Sequence, residues 1–468
     1  MVHRRILLSN VLLILSLVLS LSSQPLAGPV AASNPPTGIP NYPCYRTLAE
    51  VYQSAASLAE TYPTLASWVD IGDSWQKTDP GGEEGFDLVV LKLTNQATAG
   101  TKPVLFLLSG LHARELAAVE LNLRFAEMLL SNYGSDPDVT WLLDKTELHL
   151  LLLANPDGRV IIESQIADGT AGEHGESARS KNTDPLTCAN PSLTGVDLDR
   201  NFPFAWLSGP DGCQSGYPGS NSLSEPETQA IHDYLTSIFD DYRSGGPDDP
   251  ALPEASGLFI NLQNYGNKMY YPYFFRAEPA PESGQLQTLA NKLTYNTRAA
   301  PATYHEGVGD YLSGTPVDYL YGELGVPALT FTLGKYYEGG YFTHCADFEA
   351  SYLQTSLTAL LRAAKSSLAP YQSPYGPEIT NLALTVHDEG QTIWELNGSV
   401  SDALYKIIPA YQNIQSVSYS VDTTPWEPGA IPQPLLPLDG AFDEPEEEVW
   451  ARLDSTGLTP SRHTVYVR

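Results

Sequence analysis

One of the nine histidines and a set of scattered carboxylates carry the first chemical signal. His112-Ala113-Arg114-Glu115 places an imidazole and a carboxylate three residues apart. Both are good zinc ligands, and at the start of a helix they can converge on one ion. Alone the pair is weak, because a His-x-x-Glu match arises by chance in roughly half of chains this long. A solvated first helical turn, with the acid favoured by the helix dipole, describes it equally well. Other polar constellations follow in order: Asn155-Pro156-Asp157-Gly158, Gly195-Val196-Asp197-Leu198-Asp199-Arg200-Asn201-Phe202, Ser224-Glu225-Pro226-Glu227 and Asn264-Tyr265-Gly266-Asn267 before Tyr271-Pro272-Tyr273. His149 lies mid-strand in an apolar run and reads as a core residue, whereas His305, His344 and Glu338 fall in loops.

The elements that must hold these residues alternate in type. Leu88–Leu93, Val104–Leu108, Leu148–Leu153 and Leu258–Leu262 are short apolar runs of the kind found in buried strands. Glu115–Leu130, Glu225–Phe239, Gln285–Tyr295 and Phe348–Leu361 have helical character, and Leu116, Val119, Leu123, Ala126 and Leu130 share one face of the first. Such alternation predicts an α/β domain from residue 44 to 369, with ligand sites at the carboxyl ends of its strands. A Pro- and Tyr-rich break at 370–377 reads as a linker. Beyond it, Ile379–Val386, Thr392–Leu396, Val417–Val421 and Thr464–Val467 predict a β-sandwich over 378–468.

Composition narrows the setting. The 468 residues carry 55 Asp+Glu against 25 Lys+Arg, a formal charge of -30. Such a chain repels nucleic acid and anionic membranes. Residues 1–32 read as a signal peptide: a basic start at His3-Arg4-Arg5, an apolar stretch to Leu21 and a cleavage site before Ser33, with a linker over 33–43. No later stretch could span a bilayer. The expectation is a secreted, monomeric protein. Four cysteines in an exported chain imply two disulfides. Cys188 and Cys213 pair across a turn-rich segment, worth about 3 kcal/mol on the chain-entropy model, leaving Cys44 for Cys345.

Taken together and in this order, the five motifs resemble the zinc metallocarboxypeptidases related to carboxypeptidase A, over about Tyr42 to Ala369. The resemblance implies a mixed, mostly eight-stranded sheet flanked by helices. It implies hydrolysis of C-terminal residues from peptides with a bound Zn2+, peptide or protein C-termini being the partners. His112 and Glu115 match the first two zinc ligands, and Arg200 matches the arginine that holds the substrate carboxylate. Tyr311 lies one position from the tyrosine that covers the bound peptide. Val317 falls where the terminal side chain is read, which suits apolar residues.

At four positions the chain departs from that pattern. Gln263 stands at the third zinc ligand, a histidine in the family. Thr332 replaces the glutamate base, Ser180 the arginine that polarises the scissile carbonyl, and Asp199 the asparagine beside Arg200. A neutral amide is a poor zinc ligand. Losing a general base costs about 10²–10⁴ in rate, and losing a charge-stabilising donor about 10²–10³. A carboxylate about 4 Å from a substrate carboxylate costs on the order of 4 kcal/mol at an effective dielectric of 20. Two readings follow: a zinc carboxypeptidase with a rearranged site, or a catalytically impaired relative that binds peptide or cell-surface material. The second is favoured, because the lost groups act only in the transition state.

Overall fold

The computed structural model describes residues 37–468 except 79–84, 187, 191, 192, 373, 375, 389, 391, 404, 406–410 and 426. The signal-peptide reading therefore lies outside the described residues.

Eight strands form a mixed sheet in the order β1-β2-β4-β3-β5-β8-β6-β7. They are β1 (Ala66–Asp73), β2 (Asp87–Leu93), β3 (Val104–Ser109), β4 (Glu147–Leu151), β5 (Leu258–Asn264), β6 (Lys268–Tyr271), β7 (Ala300–Thr303) and β8 (Ala328–Leu333). The centre is parallel, with β3 pairing β4 and β5, and β5 pairing β8. Every residue of β3 and of β8 is buried, which is why Val104–Leu108 reads as an unbroken apolar run. The helix Leu116–Asn132 packs on β5, and only a few of its residues reach solvent.

This order decides where chemistry can occur. β3, β5 and β8 are neighbours, so their carboxyl ends open on the same edge of the sheet. Gly110 turns the chain out of β3 with φ +72, and a Cβ there would press on Leu152 and Leu153 at 3.3 Å. The loop that follows is tied down, since Ala113 N–H donates to the Ser180 carbonyl at 3.0 Å. Ala118 N–H donates to Asn264 Oδ1 at 3.1 Å, docking the first helical turn on the end of β5.

After residue 377 a second, wholly antiparallel sheet follows, ordered β14-β11-β12-β13-β10-β9. Its strands are β9 (Glu378–Val386), β10 (Ile393–Ser401), β11 (Val417–Val421), β12 (Gln433–Pro437), β13 (Glu446–Asp454) and β14 (Val465–Val467). Leu396, Val400 and Val449 from one half share a core with Val417, Tyr419 and Leu435 from the other, as in a sandwich. β13 escapes the sequence reading because its glutamates mask the alternation, yet Val449, Ala451 and Leu453 all point inward. The stretch expected as a linker is anchored: Tyr371 is buried and its hydroxyl donates to the Gly325 carbonyl at 2.9 Å. Lys145–Glu427 at 2.6 Å and Lys292–Glu378 at 2.5 Å join the two sheets' surroundings.

Both expected disulfides form, Cys188–Cys213 and Cys44–Cys345, the latter spanning 301 residues. Closing so long a loop stabilises by about 5 kcal/mol on the chain-entropy model. Reduction with dithiothreitol, or Cys44→Ala with Cys345→Ala, is expected to lower the thermal midpoint by at least about 5 °C in calorimetry. An unchanged midpoint would show the bridge to be energetically idle.

Candidate functional site

At the open edge of the sheet, His112 is held between two carboxylates. Its Nδ1 lies 2.8 Å from Glu115 Oε1 and its Nε2 lies 3.0 Å from Asp197 Oδ1. Glu115 is the residue before the helix Leu116–Asn132, but its side chain makes no capping bond and turns to His112 instead. Its other oxygen, Oε2, is buried without a hydrogen-bond partner of normal geometry.

Asp197 precedes a short 3-10 turn, Leu198–Arg200, and Asp199 lies within it. Asp197 caps it, accepting from Asp199 N–H at 3.2 Å. Asp199 is 5% exposed and takes two amides from β5: Asn261 Nδ2 donates to its Oδ1 at 3.1 Å, and Gln263 Nε2 to its Oδ2 at 2.9 Å. Gln263 pairs in register with Thr332 on β8. The Thr332 hydroxyl is absorbed by the β6 backbone, accepting from Lys268 N–H at 2.9 Å and donating to Lys268 O at 3.3 Å. Arg200 is half-buried and its Nε lies 3.5 Å from Asp197 Oδ2.

The charges in this cluster shift one another. Burial opposes a charged His112, but Glu115 and Asp197 outweigh it and raise the imidazole well above its ordinary value. Burial alone would raise Asp197, yet His112 and Arg200 bring it down to about 2. Burial dominates at Asp199, with Asp197 and Glu115 adding to it, and pushes the carboxyl up to about 7. Burial likewise raises Glu115 against the pull of His112.

Other expected residues fall around or away from this cluster. Ser180 sits beside it through its carbonyl, which also accepts from Asn155 Nδ2 at 3.2 Å. The neighbouring Arg179 guanidinium is spent on the carbonyls of Lys181 and Asn182. Tyr311 is 48% exposed and stacks on His305, ring centroids 4.8 Å apart. Val317 has no exposed surface and belongs to the main core. His149 is the core residue expected, bonded to Tyr234 at 2.8 Å. Glu338 is taken by Arg298 and Tyr352, and His344 is exposed beside Asp347. Asp197, Asn261 and Tyr304, whose hydroxyl feels Asp199 and Arg200, were not singled out from the sequence. Only Asp197 left a trace there, two positions before Asp199 in the same motif.

A family described as zinc carboxypeptidase matches residues 51–357. The chain belongs to the zinc carboxypeptidase family. Carboxypeptidase A2 of Mus musculus is 28% identical over 295 residues, 61% of this chain and 61% of that protein. Carboxypeptidase A1 of Homo sapiens is 27% identical over 309 residues, 63% of this chain and 64% of that protein. The chain thus spans less than two thirds of these relatives. Among solved structures, thrombin activatable fibrinolysis inhibitor superposes with a TM-score of 0.56 at 21% identity, covering 69% of this chain and 74% of that one. Carboxypeptidase A from Helicoverpa armigera does so at 0.54 and 20%, with 69% and 74% covered. These structures share the fold.

A zinc carboxypeptidase implies Zn2+, and the residues present can be tested against it. Two donors fit, His112 Nδ1 and the Glu115 carboxylate with its partnerless oxygen. A catalytic zinc takes three protein ligands, and the third position presents an amide N–H already given to Asp199. Among the described residues no three His, Cys, Asp or Glu side chains are grouped to hold a metal. The donor set does not fit zinc.

Buried carboxyls also set the response to pH. Besides Asp199, burial raises Asp318 to about 7 and Glu227 to about 8. These groups bind protons in the folded chain that the unfolded chain has released, so stability falls as pH rises from about 4.5 to 8. The raised His112 acts in the same direction above its ordinary value. Asp197 and Glu147, each brought down to about 2, contribute stability that is lost below about pH 4. The thermal midpoint is expected to peak near pH 5 and to fall towards pH 8.5 in low-salt buffer. A midpoint that climbs across that range would contradict the assignment.

Proposed function

We propose that this chain is a secreted member of the family that binds peptide in the cleft above β3, β5 and β8 without hydrolysing it. One observation carries the reading. At the paired positions on β5 and β8, where the family resemblance expects a zinc ligand and a base, stand Gln263 and Thr332, both neutral and both already hydrogen-bonded. A threonine hydroxyl cannot take a proton from water near neutral pH. The half-buried serine at 180 offers no charge to a developing oxyanion. The motifs that shape the cleft and Arg200 persist, which supports a retained binding surface. Two disulfides and an acidic surface suit an extracellular setting.

Asp199 alters what such a cleft accepts. It stands beside Arg200 where an incoming C-terminal carboxylate would arrive, and Arg200 already faces Asp197. The ligand this favours is a peptide whose end is blocked or whose segment is internal. Water and salt screen part of the repulsion, so its effect on affinity falls below a limit on the order of 4 kcal/mol.

Purified protein incubated with peptides ending in Phe, Leu or Lys, with and without added zinc, is expected to release nothing above a Glu115→Ala control. Turnover abolished by Glu115→Ala would sink the reading, as would a failure of every peptide to bind in calorimetry. At pH 8, Asp199→Asn is expected to tighten binding of a free-acid peptide at least about tenfold relative to its amide. Equal effects on acid and amide would remove Asp199 from the cleft's selectivity.

A further inference from the structure

A metal held by ligands from two segments is also a cross-link, and its binding energy is folding energy. In the family pattern the two segments are the loop after β3, with His112 and Glu115, and β5 at position 263. In this chain those segments are joined by another route. His112 Nε2 lies 3.0 Å from Asp197, and β5 reaches Asp199 through both Asn261 and Gln263. Both acceptors belong to one turn, two residues apart.

We propose that the Asp197–Asp199 turn takes over the metal's structural role and closes the site to zinc. Orientation of the Gln263 amide is the decisive point. In the structure both oxygens of Asp199 accept amide N–H groups, Oδ1 from Asn261 and Oδ2 from Gln263. Asp199 therefore holds the Gln263 N–H toward itself and its carbonyl oxygen away. Turning the amide to offer oxygen to a metal would set that N–H free and place oxygen against oxygen. The asparagine that the family resemblance expects at 199 carries an N–H of its own and imposes no such orientation. Asp199 and Gln263 thus make sense as a pair: the first fixes the second in its non-ligating pose, and the second gives a buried carboxylate a partner. Asn261 supplies the other bond and keeps the clamp anchored on β5. The inference does not rest on peptide binding, since a cleft closed to zinc could be filled or empty of peptide.

The test reads metal and melting, not turnover. The full-length secreted protein is expected to carry less than about 0.1 zinc per chain by elemental analysis. Its melting midpoint is expected to move by less than about 1 °C with either EDTA or excess zinc. The Asp199→Asn, Gln263→His double variant restores the third ligand, a second imidazole, without an acidic clamp. It is expected to take up one zinc per chain and to gain several degrees of melting temperature, which EDTA removes. Stoichiometric zinc in the wild-type protein, or zinc-dependent melting, overturns the proposal. So does a double variant with wild-type circular dichroism that binds no zinc. If the double variant does not fold, the wild-type titration decides alone: zinc-independent melting upholds the proposal and zinc-dependent melting overturns it. Peptide affinity measured on the same wild-type sample separates this outcome from the fate of the binding reading.

Discussion

Asp199 is a carboxylate buried at the carboxyl edge of the parallel strands, and much of the surrounding polar cluster is arranged around that fact. Burying a charge is costly unless hydrogen bonds compensate it. Asn261 and Gln263 supply them from alternate positions of β5, which the period of a strand brings to one face. The same turn supplies Asp197 to His112, so one short segment sets the loop after β3, the end of β5 and the pose of Arg200. Its members are buried and bonded to one another, with Glu115 Oε2 and Asn261 Oδ1 left unpartnered, and such buried networks rigidify a site to the extent that they are satisfied.

The contrast with a metal centre is one of charge. A divalent cation gathers carboxylates and imidazoles because it is positive, and it polarises whatever else it touches. Among the described residues, an imidazole held by two acids and an arginine facing one of them are the positive groups in contact with these carboxylates. The apolar strands that build the sheet do not depend on the residues at their ends.

Much of this was legible in the sequence, and for a physical reason. The runs that form β2 to β5 are short, mostly apolar and bounded by turns, so their type and position follow from burial. Family motifs gave the topology and located the departures at 180, 199, 263 and 332. Their consequences were not legible. That Gln263 answers Asp199 depends on two segments 64 residues apart meeting across a sheet. That Thr332 disappears into the β6 backbone depends on an edge pairing no local pattern announces. Strand β13 was hidden by its glutamates, and Val317, expected at a pocket wall, is enclosed by the core.

The Cys44–Cys345 bridge makes the chain between those residues a closed covalent ring that contains the whole of the larger sheet. A protease that cuts the exposed stretch at 244–250 opens the ring but releases nothing, because both halves remain joined through sulfur. A cut beyond residue 345 lies outside the ring, and there the second sheet is retained only by noncovalent contacts such as Lys145–Glu427. Under proteolysis the two parts of the molecule thus age differently: the larger stays whole through nicking, and the smaller can be shed.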